Sequence, residues 1–111
     1  MAADIISLED ATVVLLPQRF DANTAPDIET DLRRLAGTAP KKTILDFSRT
    51  EYIASAGLRV LLVFTRDSMK TGGKVSLVEI RPPVLKVFEM AGFTSIFTIA
   101  RTREEAMRKM A

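Results

Sequence analysis

The chain has 111 residues, 16 basic against 14 acidic, a net charge of +2, no cysteine and no histidine. Those absences remove disulfides, thiol chemistry, the common zinc sites and histidine-based catalytic triads. So small a charge excess, with aromatics at only 6%, excludes a basic stripe with stacking rings and hence direct nucleic-acid binding.

The apolar fraction of 47% and charged fraction of 27% are those of an ordinary globular chain, read as one domain over 1–111. Met1-Ala2-Ala3-Asp4 lacks the basic start and apolar run of a leader. No apolar run approaches the roughly 20 residues that span a bilayer. The expectation is a cytoplasmic protein without membrane insertion, with which the lack of cysteine is compatible.

Ile5 to Leu8 reads as a short strand and Ala11 to Leu16, β-branched and apolar, as a buried one ended by Pro17. The two are close enough to form a hairpin. Phe20-Asp21-Ala22-Asn23 reads as a loop. Thr24 then resembles an N-cap, with Pro26 in the first turn and Asp27 completing an approximate capping box. Ile28, Leu32 and Leu35 give the following helix one apolar face, and Gly37 is its natural stop.

Lys41 and Lys42 lead as solvated anchors into a strand over Thr43 to Ser48. Tyr52-Ile53-Ala54 reads as a strand end and tight turn, and Ser55 to about Lys70 as a heavily buried helix. Its stripe is Leu58, Leu61, Leu62, Thr65 and Met69, with Val60, Val63 and Phe64 beside it. Thr71-Gly72-Gly73 stops it. Lys74 to Ile80 is a strand, Pro82 and Pro83 open a helix with Val84, Leu85, Val87 and Phe88 inward, and Gly92 ends it. Ser95 to Ala100 is the last strand. Thr102-Arg103-Glu104-Glu105 is a capping box opening a final helix with Ala106, Met107 and Met110 inward. The order β-β-α-β-α-β-α-β-α predicts an α/β fold with a mostly parallel sheet of about five strands and about four helices.

Little catalytic chemistry survives this reading. Gly72-Gly73 follows a helix and precedes a strand, the reverse of a dinucleotide site, and has a turn role. Asp46 at a strand end and Asp21 in a loop are not brought together by spacing. A nucleophilic Ser55 has no histidine to activate it. Two other roles for Ser55 remain. It can cap the helix, accepting the N–H of Gly57 or Leu58, or it can accept a phosphate at a helix end that tolerates negative charge. Ala56 and Gly57 are small and leave the hydroxyl accessible. Arg59, four positions on, is either a solvated helix residue or a partner for that phosphate.

Ile44-Leu45-Asp46-Phe47 followed by Tyr52-Ile53-Ala54-Ser55-Ala56-Gly57-Leu58-Arg59-Val60-Leu61-Leu62 resembles the signature of STAS domains, and among them the bacterial anti-sigma factor antagonists. The likeness continues through Gly72–Val78, Pro83–Gly92 and the first loop, Phe20 to Ala25. The resemblance implies a STAS domain over 1–111 that is not an enzyme and carries no cofactor. It implies an unphosphorylated protein that binds a serine-kinase anti-sigma factor, is phosphorylated on Ser55 with ATP held by the kinase, and is then released. A PP2C-type phosphatase resets it. The implied partner-binding residues are Asp21, Asn23, Ala54, Ala56, Gly57 and Arg59. Many members carry Asp before the serine and a second hydroxyl after it; here Ala54 and Ala56 stand there. The alternative is a STAS subunit of a lipid-transport or signalling assembly that is never phosphorylated.

Overall fold

Alternation of apolar residues along three central strands decides the architecture. The structure, a computed structural model, describes residues 3–111. Met1 and Ala2, part of the segment read for a leader, lie outside the described residues. Strands β1 (Asp4–Ser7), β2 (Thr12–Leu15), β4 (Lys42–Asp46), β6 (Lys74–Val78) and β7 (Thr98–Ile99) form one sheet in the order β1-β2-β4-β6-β7. The β1–β2 hairpin is antiparallel and every other pairing in this sheet is parallel. Two shorter pieces, β3 (Arg19–Phe20) and β5 (Tyr52–Ile53), make a separate parallel pair.

The strand period of two sends alternate residues to opposite faces. Val14, Leu45 and Leu77 enter the larger core, shared with helices α1 (Ala25–Gly37), α2 (Ser55–Lys70) and α3 (Pro82–Met90). Val13, Ile44 and Val78 enter a smaller core under helix α4 (Arg103–Met110) with Ala106 and Met110. In the larger core Phe47, Phe88 and Phe97 meet edge to face, at centroid distances of 5.8 and 5.7 Å.

Several elements differ from the expectation, each for a local reason. The strand read to Ile80 stops at Val78 because Glu79 turns into the left-handed region, φ 58°. The last strand shrinks to Thr98–Ile99, since Ile96 and Phe97 donate N–H bonds to the Phe93 carbonyl and form a turn. Gly37 is the last residue of α1; Ala39, φ 49°, makes the left-handed step. On α2 the buried stripe runs through Gly57, Leu58, Val60, Leu61, Phe64, Thr65 and Ser68. Met69, read as part of it, is 67% exposed.

Candidate functional site

Pro17 has no N–H to give, so the β2–β4 ladder breaks there. Thr50 donates its hydroxyl to the Pro17 carbonyl across the gap at 2.9 Å. Glu51 donates its N–H to the Gln18 carbonyl at 2.8 Å, and the chains pair again as β3 and β5. Phe20 and Ile53 of this short pair are buried. Arg19 and Tyr52, opposite one another in register, therefore share the outward face. Ala54 donates its N–H to the Phe20 carbonyl at 2.9 Å, and α2 begins at the next residue.

Ser55 occupies the first helical position and is exposed. It is not the N-cap. That position falls to Ala54, extended at φ −109°, ψ 172°, and no side chain caps the helix. The Ala54 carbonyl takes the N–H groups of both Gly57 and Leu58, the two donors assigned to Ser55 from the sequence. The hydroxyl is thus free of the capping duty.

Gly57 is buried, not displayed. A Cβ there would lie 2.8 Å from the Phe20 carbonyl oxygen and 3.0 Å from the Phe20 ring and the Ile53 side chain. Its smallness lets α2 close on β3, which fixes where Ser55 stands. It is a support beneath the surface and presents nothing to a second molecule. Ala54 and Ala56 are half-buried at the rim, and Arg59 is exposed one turn along the helix.

Asp21 follows β3. Its carboxylate accepts the N–H groups of Asn23, at 3.0 Å, and Thr24, at 3.3 Å, and ion-pairs with Arg19 at 3.3 Å. Partial burial pushes this carboxyl up, but the Asn23 and Thr24 amides and the Arg19 guanidinium outweigh it and hold the carboxyl below its ordinary range. Asp21 is therefore the anion that organises the start of α1. Thr24, read as the cap, is helical at φ −96°, ψ −22°; its hydroxyl turns back, accepting from the Asp21 N–H and donating to the Arg19 carbonyl. Asn23 is exposed in the same loop. The structure thus brings Asp21, Ala54 and Ser55 to one rim and moves Gly57 beneath it.

Asp46, the other carboxylate, faces away from this rim. It lies on the α4 face, 3% exposed, where it meets Arg103 at 3.0 Å and accepts the Ser48 N–H at 2.7 Å. It bolts α4 to the sheet and has no part in an acid/base pair with Asp21. Among the described residues no group of acidic side chains could hold a metal ion, and no helix is long and apolar enough to cross a membrane.

Sequence reasoning missed Arg19 and Tyr52. The guanidinium carbon sits 4.6 Å from the centroid of the Tyr52 ring, and Tyr52 is 44% exposed. Two-residue strands are too short to show alternation, so nothing in the sequence placed the pair side by side.

A mixed five-stranded sheet with three helices on one face and one on the other, and a bare serine at the start of the second helix, defines a small α/β domain that offers one helix end at its rim. The STAS domain family model matches residues 2–106, and the chain belongs to that family. The chain is 39% identical over 99 residues to BtrV of Bordetella bronchiseptica, named as a candidate anti-sigma factor antagonist; the match covers 89% of this chain and 85% of BtrV. A Thermotoga maritima protein described in the same terms superposes with a TM-score of 0.89 at 21% identity, covering 97% of this chain and 93% of that one. The unphosphorylated form of the anti-sigma factor antagonist SpoIIAA has a TM-score of 0.81 at 24% identity over 97% of this chain and 95% of its own. SpoIIAA of Bacillus has also been solved in a phosphorylated form, TM-score 0.72, 21% identity, covering 99% of this chain and 100% of that chain. These structures share the fold.

Proposed function

We propose that this protein is an anti-sigma factor antagonist that works by partner switching and not as an enzyme. Unphosphorylated, it binds a serine-kinase anti-sigma factor through the rim around Ser55. The kinase transfers the γ-phosphoryl group of its ATP: a bond forms from Ser55 Oγ to the γ-phosphorus, the bond to ADP breaks, and the hydroxyl proton leaves to a base on the kinase. The complex then separates. A phosphatase of the PP2C type returns the serine. The whole cycle is assigned to the cytoplasm.

One observation carries the reading. Ser55 is exposed on the first turn of α2, and the capping work falls to the Ala54 carbonyl. Its oxygen is accessible to another protein's active site, and adding about −1.5 to −2 charges at a helix N-terminus leaves the helix intact. The change falls on the surface that a partner meets, where like charge and lost hydration weaken binding. Relatedness to BtrV and the phosphorylated form known for SpoIIAA support the same reading.

The test pairs a pull-down with kinase assays. Unphosphorylated protein should retain the anti-sigma factor, and phosphate from ATP should map to Ser55 by mass spectrometry. Ser55→Asp should weaken binding at least about tenfold, some 1.4 kcal/mol, with an unchanged thermal midpoint; Ser55→Ala should bind and resist release. Melting of the domain by Ser55→Asp refutes the surface account. No phosphate at Ser55 with any encoded kinase of this class favours a constitutive STAS subunit instead.

A further inference from the structure

The outward row of the β3–β5 pair contains a cation with two weak attachments. Arg19 ion-pairs with Asp21 and stacks on Tyr52, yet its side chain remains 63% exposed. Asp21 does not depend on Arg19, because the Asn23 and Thr24 amides already bind its carboxylate. Register places Arg19 beside Tyr52, and Phe20, the residue between Arg19 and Asp21, takes the N–H of Ala54. The Arg19–Asp21 pair therefore lies along the rim that ends in Ser55.

We propose that Arg19 is the receiver of a phosphate on Ser55, exchanging the Asp21 carboxylate for the phosphate while it remains stacked on Tyr52. The inference rests on Ser55 as the phosphoacceptor. A phosphoserine offers three strong acceptor oxygens and up to twice the charge of a carboxylate. A guanidinium binds such a group through two parallel N–H donors, and its stacking on an aromatic face limits the freedom it loses in doing so. The new anion repels Asp21, which retains its amide donors when Arg19 departs. Phosphorylation then changes the rim twice: a negative charge appears on α2, and a cation that was available above Tyr52 is consumed.

Arg59, one turn along α2, is the rival receiver. Protein carrying phosphoserine at position 55, installed during translation so that no kinase is needed, is titrated by phosphorus NMR. With Arg19 present, the second ionisation of the phosphate falls below its ordinary value of about 6 by about half a unit or more. Arg19→Gln should abolish that shift, Arg59→Gln should leave it, and Arg19→Lys, which keeps the charge without the planar fork, should restore part of it. An unchanged titration in Arg19→Gln with a native amide spectrum, or a shift that follows Arg59, overturns the proposal. Failure of every kinase to modify Ser55 strikes the functional reading instead and leaves this titration intact.

Discussion

Helices α2 and α4 start from the same backbone and finish their first turns in opposite ways. Ala54 and Thr102 are both extended, at φ −109°, ψ 172° and φ −132°, ψ 166°. At α4 the Thr102 hydroxyl accepts the Glu105 N–H at 3.2 Å. The first helical residue, Arg103, reaches down to buried Asp46, and Glu104 and Glu105 supply negative charge to the first turn. At α2 the methyl group of Ala54 caps nothing, the first residue is exposed Ser55, no acidic side chain stands in the first turn, and the third residue is Gly57. A start closed by its own side chains has them engaged within the fold. A start held by a backbone contact to Phe20 leaves its side-chain positions free for another molecule. Burial of Leu58, Leu61 and Phe64 against the larger core replaces the stability a cap gives.

The contrast can be broken most severely at Gly57. Gly57→Ala forces a methyl group into the Phe20 carbonyl, and backbone cannot swing aside as a flexible side chain does. The expected cost is about 1–3 kcal/mol in denaturant unfolding, with loss of partner binding because the Ser55 rim shifts. At the other helix, Arg103→Ala leaves Asp46 buried without its cation. That should cost about 2 kcal/mol, since Arg103 is partly exposed and the pair is not fully sealed. The double change with Asp46→Asn should recover part of it.

Exchanging the caps sharpens the comparison at a smaller scale. Thr102→Ala should cost about 1 kcal/mol, and Ala54→Ser should gain up to about 1 kcal/mol while keeping the fold; thermal unfolding reads both. A gain at position 54 with weaker binding of the proposed partner would mark the open helix end as a feature kept for recognition.

The smallest effect is a pH dependence at the two acidic anchors. The Arg101 N–H holds the Glu105 carboxyl below its ordinary value; burial opposes it, and Lys109 adds to the lowering. Asp21 is lowered as well. A carboxylate with a depressed folded value stabilises the fold fully above its unfolded value and loses that contribution as pH falls through the folded one. Stability should therefore decline on acidification through and below the ordinary carboxylate range. Asp21→Asn and Glu105→Gln should each flatten that decline in denaturation curves taken from pH 6 downward, roughly spanning the window in which such carboxylates titrate.

Much of this was legible in the chain. The Thr102 cap was read correctly because its side chain and Glu105 stand at the spacing a helix start requires. Thr24, with Asp27 three residues on in place of a glutamate, resembles that pattern and has a different outcome: the chain is already helical there, so its hydroxyl cannot face the N–H groups ahead. The duty passed to Asp21, three residues earlier, through a turn that spacing alone does not reveal. Helix α2 was legible as buried, but its stripe was rotated, because Gly57 is an inward position with no apolar side chain to signal it. The carboxylate of Asp46 was placed at a strand end correctly, and its partner 57 residues later was not legible at all.

The proline that splits the ladder has a consequence for motion. Ser55 follows a two-residue pair set apart from the five-stranded sheet, and at this seam the two chains that enter the pair are held to each other by the bonds from Thr50 and Glu51 to Pro17 and Gln18. Such a seam permits sub-global opening at lower free energy than unfolding of the central strands. Amide hydrogens of Glu51 and Ala54 should exchange with solvent deuterium well before that of Leu45, giving the serine a local freedom of approach that leaves the interior strands closed.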